Sequence, residues 1–71
     1  MEVGAYRRRL RDVDPTADIV VTSDDRGRTC TVLLRTQRFG VERAGVCEPD
    51  DLSLLLDSST THLIVRLEAA P

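Results

Sequence analysis

The sequence predicts an α+β fold: a two-layer sandwich in the order helix, three antiparallel strands, helix, strand, with two short helices on one face of the meander. Three observations carry that expectation. Residues 28–36, Arg-Thr-Cys-Thr-Val-Leu-Leu-Arg-Thr, hold β-branched and apolar residues in near alternation between turn-forming neighbours, the pattern of a half-buried strand. The segments on either side can each fold back on it through a glycine-containing turn. Ahead of them, Val3, Tyr6, Leu10 and Val13 recur at the spacing of one helical stripe. A chain of 71 residues is one small domain, 1–71, which buries about 60–65% of its unfolded surface and so has a modest core.

Residues 2–13 read as an amphipathic helix with Arg7, Arg8, Arg9 and Arg11 mostly outside the apolar stripe. Asp14-Pro15 ends it, because proline disfavours helical geometry in the residue before it. A helix this short is marginal alone, so the stripe has to dock. Residues 17–23 form the first strand, and Asp24-Asp25-Arg26-Gly27 the first turn. Closing that turn with Ser23 opposite Arg28 pairs Val21 with Cys30, Ile19 with Val32 and Ala17 with Leu34, all on one face. The other face receives Val20, Thr22, Thr29, Thr31, Leu33 and Arg35.

Arg38-Phe39-Gly40 is the second turn, and it sets Leu34 against Ala44 and Val32 against Val46. A one-residue shift relieves the like-charge pair of Arg35 and Arg43 and brings Cys30 opposite Cys47, but it sets Leu34 against Arg43. Core matching outweighs a surface charge pair of about 0.2–1 kcal/mol, so the first register is preferred. Glu48-Pro49-Asp50-Asp51 opens a second helix, with proline at its first position and acidic residues at the positive end of its dipole. Leu52, Leu55 and Leu56 give it a stripe that ends near Asp57, and Ser58-Ser59-Thr60 is a connection. Residues 61–68 read as a last strand, with Leu63, Val65 and Leu67 on one face and His62, Ile64, Arg66 and Glu68 on the other. The dry layer is therefore expected to hold Ile19, Val21, Val32, Leu34, Val46 and Val65. Ala69-Ala70-Pro71 reads as a frayed end or the start of a linker.

Composition removes several function classes. The chain is 41% hydrophobic and 31% charged, with a net charge of −2, which argues against a general polyanion binder. Tyr6 and Phe39 are the only aromatic residues, too few for base-stacking platforms. No apolar run approaches the roughly 20 residues that span a bilayer, and the N-terminus has no signal-peptide core, so the expected location is the cytoplasm. All ten basic residues are arginine, which fits codon bias in a GC-rich bacterial genome.

Chemical motifs are scarce. Cys30 and Cys47 are expected as small apolar side chains at the core or its edge. His62, the only histidine, falls on the face opposite the cysteines, away from any nucleophile it could serve. Cys30, Cys47 and His62 lack the close pairing of zinc ligands, and helix-start acidity accounts for Glu48, Asp50 and Asp51 without a cation. No metal, cofactor or catalytic residue is expected. The order helix, three strands, helix resembles that of the double-stranded-RNA-binding domain. Asp50, Asp51 and Asp57 stand on the second helix where such a domain needs basic residues, which sets the resemblance aside.

Two surfaces remain. Arg7, Arg8, Arg9 and Arg11 could grip phosphates or an acidic partner, although Glu2, Asp12 and Asp14 lie close by. Val20, Leu33 and Ile64 are expected on the sheet's outer face, where clustering would mark an interface, most simply a twofold dimer. The sequence thus points to a non-enzymatic protein–protein interaction module, a small adaptor, regulator or docking domain. Its partner would be another protein, a further domain of the same chain or a second copy. The alternative is a nucleic-acid-associated regulator contacting phosphates through the arginines of the first helix.

Overall fold

The computed structural model describes residues 3–69. Helix α1 (Val3–Val13) leads into a three-stranded antiparallel sheet of β1 (Asp18–Ser23), β2 (Cys30–Thr36) and β3 (Gly40–Cys47), in spatial order β1-β2-β3. A single 3-10 turn (Pro49–Asp51) then opens α2 (Leu52–Ala69). The fold is a small α+β domain of two helices and three strands.

The fourth strand expected over 61–68 is absent, because those residues continue α2. Leu63 and Leu67 are four apart, and they extend the buried stripe of Leu52, Leu56 and Thr60 along one helix face. The serines and threonines that read as a connection lie inside the helix. Ser59 and Thr60 are buried, and the Ser58 hydroxyl donates to the Leu55 carbonyl at 3.2 Å. With no glycine or proline from Leu52 to Ala69, nothing interrupts the backbone ladder. Alternation of Leu63, Val65 and Leu67 is real in the sequence, but Val65 is exposed rather than part of the dry layer.

Strand β1 meets β2 two residues from the expected register: Ser23 pairs with Cys30, Val21 with Val32 and Ile19 with Leu34. The cause is the Asp24 carboxylate, which accepts from the Arg26 and Arg28 amides at 3.1 and 2.7 Å and widens the loop. Gly27 takes a φ of 67° within it. A shift of two keeps every side chain on its face, so Ala17, Ile19, Cys30, Val32 and Leu34 are buried together as expected.

The preferred register of the second hairpin is corrected outright. Cys30 pairs with Cys47 and Val32 with Gly45, then a bulge at Ala44 resets the ladder to Leu33–Arg43 and Leu34–Glu42. Val46 consequently faces out, beside Thr31, instead of joining the core. Gly45 explains the choice. A Cβ there would stand 3.0 Å from a methyl of Leu55, so α2 seats on the sheet where the strand has no side chain.

Leu10 of α1, the inner strand residues and the stripe of α2 form one buried cluster, with Val3 and Tyr6 packed against it. Thr60 is its weak point, because its fully buried hydroxyl has no hydrogen-bond partner among the described residues. We expect Thr60→Val, which keeps the shape and removes the unsatisfied group, to raise stability by about 1 kcal/mol. Leu63→Ala should lower it by about 2–5 kcal/mol. Urea unfolding followed by circular dichroism measures both.

Candidate functional site

The arginines of α1 divide into two groups. Arg7 reaches across to β1, where Nε donates to Asp18 Oδ1 at 2.7 Å and Nη2 to the Ile19 carbonyl at 2.9 Å. Arg11 Nε donates to the Ala17 carbonyl at 3.1 Å. Asp18 Oδ1 in turn accepts from the Ile19 amide at 2.8 Å. Because β1 is an edge strand, Ala17 and Ile19 turn their backbone groups away from β2, and these side chains occupy them. Arg9 makes only a 3.7 Å ion pair with Asp57 and lies 5.9 Å from the Tyr6 ring, both at the surface. Arg8 is exposed and makes no hydrogen bond or ion pair with any described residue. The four arginines therefore do not form one free basic patch.

Burial pushes the Asp18 carboxyl up, but the Ile19 amide, the Arg7 hydrogen bond and the charges of Arg7 and Arg11 outweigh it and hold it below its ordinary value. A carboxyl depressed in the folded state stabilises the fold above its unfolded pKa of about 4 and loses that contribution as pH falls through the folded value.

The side of the sheet turned away from the buried cluster is in part exposed. Alternation turns Val20, Thr22, Thr31, Leu33 and Arg35 to this side, and pairing adds Arg43 opposite Leu33, Val46 opposite Thr31 and Val41 opposite Arg35. Val20 stands directly opposite Leu33, so Val20, Leu33 and Val46 occupy adjoining rungs. Val20, Val41 and Val46 are 44%, 63% and 53% exposed, and Leu33 is half-buried. Ile64 does not join them: it lies on α2, half-buried against the core. Val46 belongs to the surface but was not expected there, because the assumed register of β3 turned it inward, whereas Val41 faces outward in either register.

A cleft of about 530 Å³ opens between α2 and β3, floored by Leu34, Leu55 and Leu63 and edged by His62 and Arg66. Arg66 Nη1 donates to Glu42 Oε1 at 2.7 Å, and its guanidinium stacks 4.2 Å from the Phe39 ring centroid. His62 is on the helix rather than on a strand, beside Ser58 and Ser59 in the cleft wall. The Ser58 hydroxyl is donated to the Leu55 carbonyl, away from the imidazole.

Cys30 is buried and Cys47 half-buried, both as free thiols on directly opposed positions of β2 and β3. Desolvation first, then the neighbouring Cys30 and Asp51, push the Cys47 thiol above its ordinary pKa. Among the described residues, no three His, Cys, Asp or Glu side chains gather as metal ligands, and no helix is long and apolar enough to cross a membrane. Comparison with protein-family models, curated proteins and solved structures finds no match to this chain.

Two outcomes follow from the arginine seal on β1. Asp18→Asn should cost about 1 kcal/mol at neutral pH, with the gap to the unaltered protein narrowing as pH falls below about 4 in paired urea titrations. Arg7→Ala with Arg11→Ala should expose the strand edge and give concentration-dependent association in sedimentation velocity. Arg8→Ala should sediment like the unaltered protein.

Proposed function

We propose that the protein is a non-enzymatic protein–protein interaction module that docks its partner on the bare outer face of the sheet. The proposal assumes a two-layer arrangement in which helices shield one side only. The observation that supports it is the adjoining row of Val20, Leu33 and Val46, flanked by exposed Val41. Single exposed apolar side chains are ordinary on a small protein, whereas a contiguous group on an otherwise open face favours a docking role.

Charge narrows the partner. Arg35 and Arg43 share this face, and among the described residues only Arg35 has an acidic neighbour, Asp18 at 3.7 Å. An apolar patch bordered by carboxylates, on another protein or a further domain, complements this surface. A second copy docked face to face brings arginine against arginine, which makes a homodimer the less favoured occupant. The nucleic-acid reading has less support, since Arg7 and Arg11 are occupied by β1 and Asp50 and Asp51 place negative charge at the start of the last helix. Free thiols suit a reducing compartment such as the cytoplasm.

Val20→Asp with Val46→Asp tests the surface, since both side chains are exposed and the fold should persist by circular dichroism. For a partner recovered by affinity capture and then purified, the double variant should bind about tenfold more weakly or worse. Arg8→Ala should bind as before. Equal binding by the double variant sinks the docking surface. Concentration-dependent dimerisation abolished by the same substitutions makes a second copy the occupant instead. Tight, steeply salt-dependent binding to a nucleic-acid duplex restores the phosphate reading.

A further inference from the structure

We infer that Cys30 and Cys47 form a dithiol site that small-molecule disulfides, of which oxidised glutathione is the type, convert to a reversible cross-strand bridge. The inference stands apart from the docking surface, because it rests on the ladder geometry of β2 and β3 alone.

The two residues are direct partners in the antiparallel ladder. Direct partners in such a ladder point to the same face and have Cα atoms about 4.5–5.5 Å apart. A disulfide accepts Cα separations of about 4.4–6.8 Å, so the backbone already satisfies its main requirement. Cβ atoms in such pairs stand slightly wider than a disulfide prefers, and a small inward movement closes that gap. The position permits the movement. Cys30 is the first residue of β2 and Cys47 the last of β3, so this rung ends the β2–β3 ladder; Ser23 of β1 holds Cys30 on its other side, and the movement falls to Cys47.

Exposure assigns the order of steps. Cys47 is half-buried and reachable, whereas Cys30 is 5% exposed beneath the core. The Cys47 thiolate attacks one sulfur of the small disulfide, forming a mixed disulfide and releasing one small thiolate. The Cys30 thiolate then attacks the Cys47 sulfur, forming the bridge and releasing the second small thiolate. Two protein thiols are oxidised and one small disulfide is reduced to two thiols, which take up the two protons lost. Cys47 is followed within two residues by Pro49, the start of the turn into α2, so the bridge ties the entry of that helix to β2.

The test treats the folded chain with excess oxidised glutathione and follows intact mass, a non-reducing peptide map and thermal unfolding. The expected product is monomeric, lacks two hydrogen atoms, retains no glutathione and links the peptides carrying Cys30 and Cys47. Closing a loop of about 18 residues should raise the unfolding midpoint by roughly 12–25 °C, reversed by dithiothreitol. Cys30→Ser should stop at one glutathione on Cys47, and Cys47→Ser should stay unmodified while folded. Unchanged mass, glutathione retained on the unaltered protein, or dimers linked between chains would each overturn the inference. So would a Cys47→Ser variant modified as fast as the unaltered protein.

Discussion

One buried helix face holds this fold together. Leu52, Leu56, Thr60, Leu63 and Leu67 lie along α2, and the inner sides of β1 and β2 together with Leu10 of α1 complete the layer they enter. Full burial of a leucine is worth about 1.5–3 kcal/mol, so Leu56 and Leu63 alone are comparable with the net stability of a domain this size. Neither short element could persist without that layer. Helix α1 has eleven residues, and a three-stranded sheet needs an apolar face packed against something to be independently stable. Ser59 and Thr60 sit mid-stripe as small side chains where two leucines would add bulk, and Thr60 does so at the expense of an unsatisfied hydroxyl.

The junction of α2 with β3 shows how that helix imposes its position on the strand. Leu55 descends onto Gly45, and any side chain there would crowd it. With Gly45 held inward opposite Val32, Cys47 falls opposite Cys30, and the strand must absorb one residue before Glu42 can meet Leu34. The bulge at Ala44 absorbs it. Beyond the bulge Glu42 turns to the helix side and holds Arg66, whose guanidinium covers Phe39 at the tip of the hairpin. The contacts at the two ends of β3 thus demand different alignments, and the bulge reconciles them.

The same contacts determine what the sequence discloses. Faces of β1 and β2 were legible because alternation depends only on parity, and the loop built by Asp24 moved the register by two. The bulge was not legible, since its cause is a contact between Gly45 and a helix residue ten positions away in the chain. The error over 61–68 has a different origin. Leu63, Val65 and Leu67 satisfy a period of two, while Leu52, Leu56, Leu63 and Leu67 satisfy the helical period once Thr60 is admitted to the stripe. Reading Ser58-Ser59-Thr60 as a break hides that continuity and carries Ile64 and His62 onto a strand face that does not exist. Of the outer-surface residues, Val20 and Leu33 were found by alternation, whereas Val46 required the true alignment of β3.

An exposed three-stranded sheet offers two edges and one face for association, and the two edges are treated differently from the face. On β1, Arg7, Arg11 and Asp18 engage the outward backbone groups of Ala17 and Ile19, so an incoming strand would have to displace charged side chains. On β3, the bulge at Ala44 breaks the regular spacing that a continuous added strand needs. Both devices oppose growth of the sheet by strand addition, the route to uncontrolled aggregation. Val20, Leu33, Val41 and Val46 have no comparable shield on the outer face. Apolar area left open where the edges are defended is what supports the docking face proposed above.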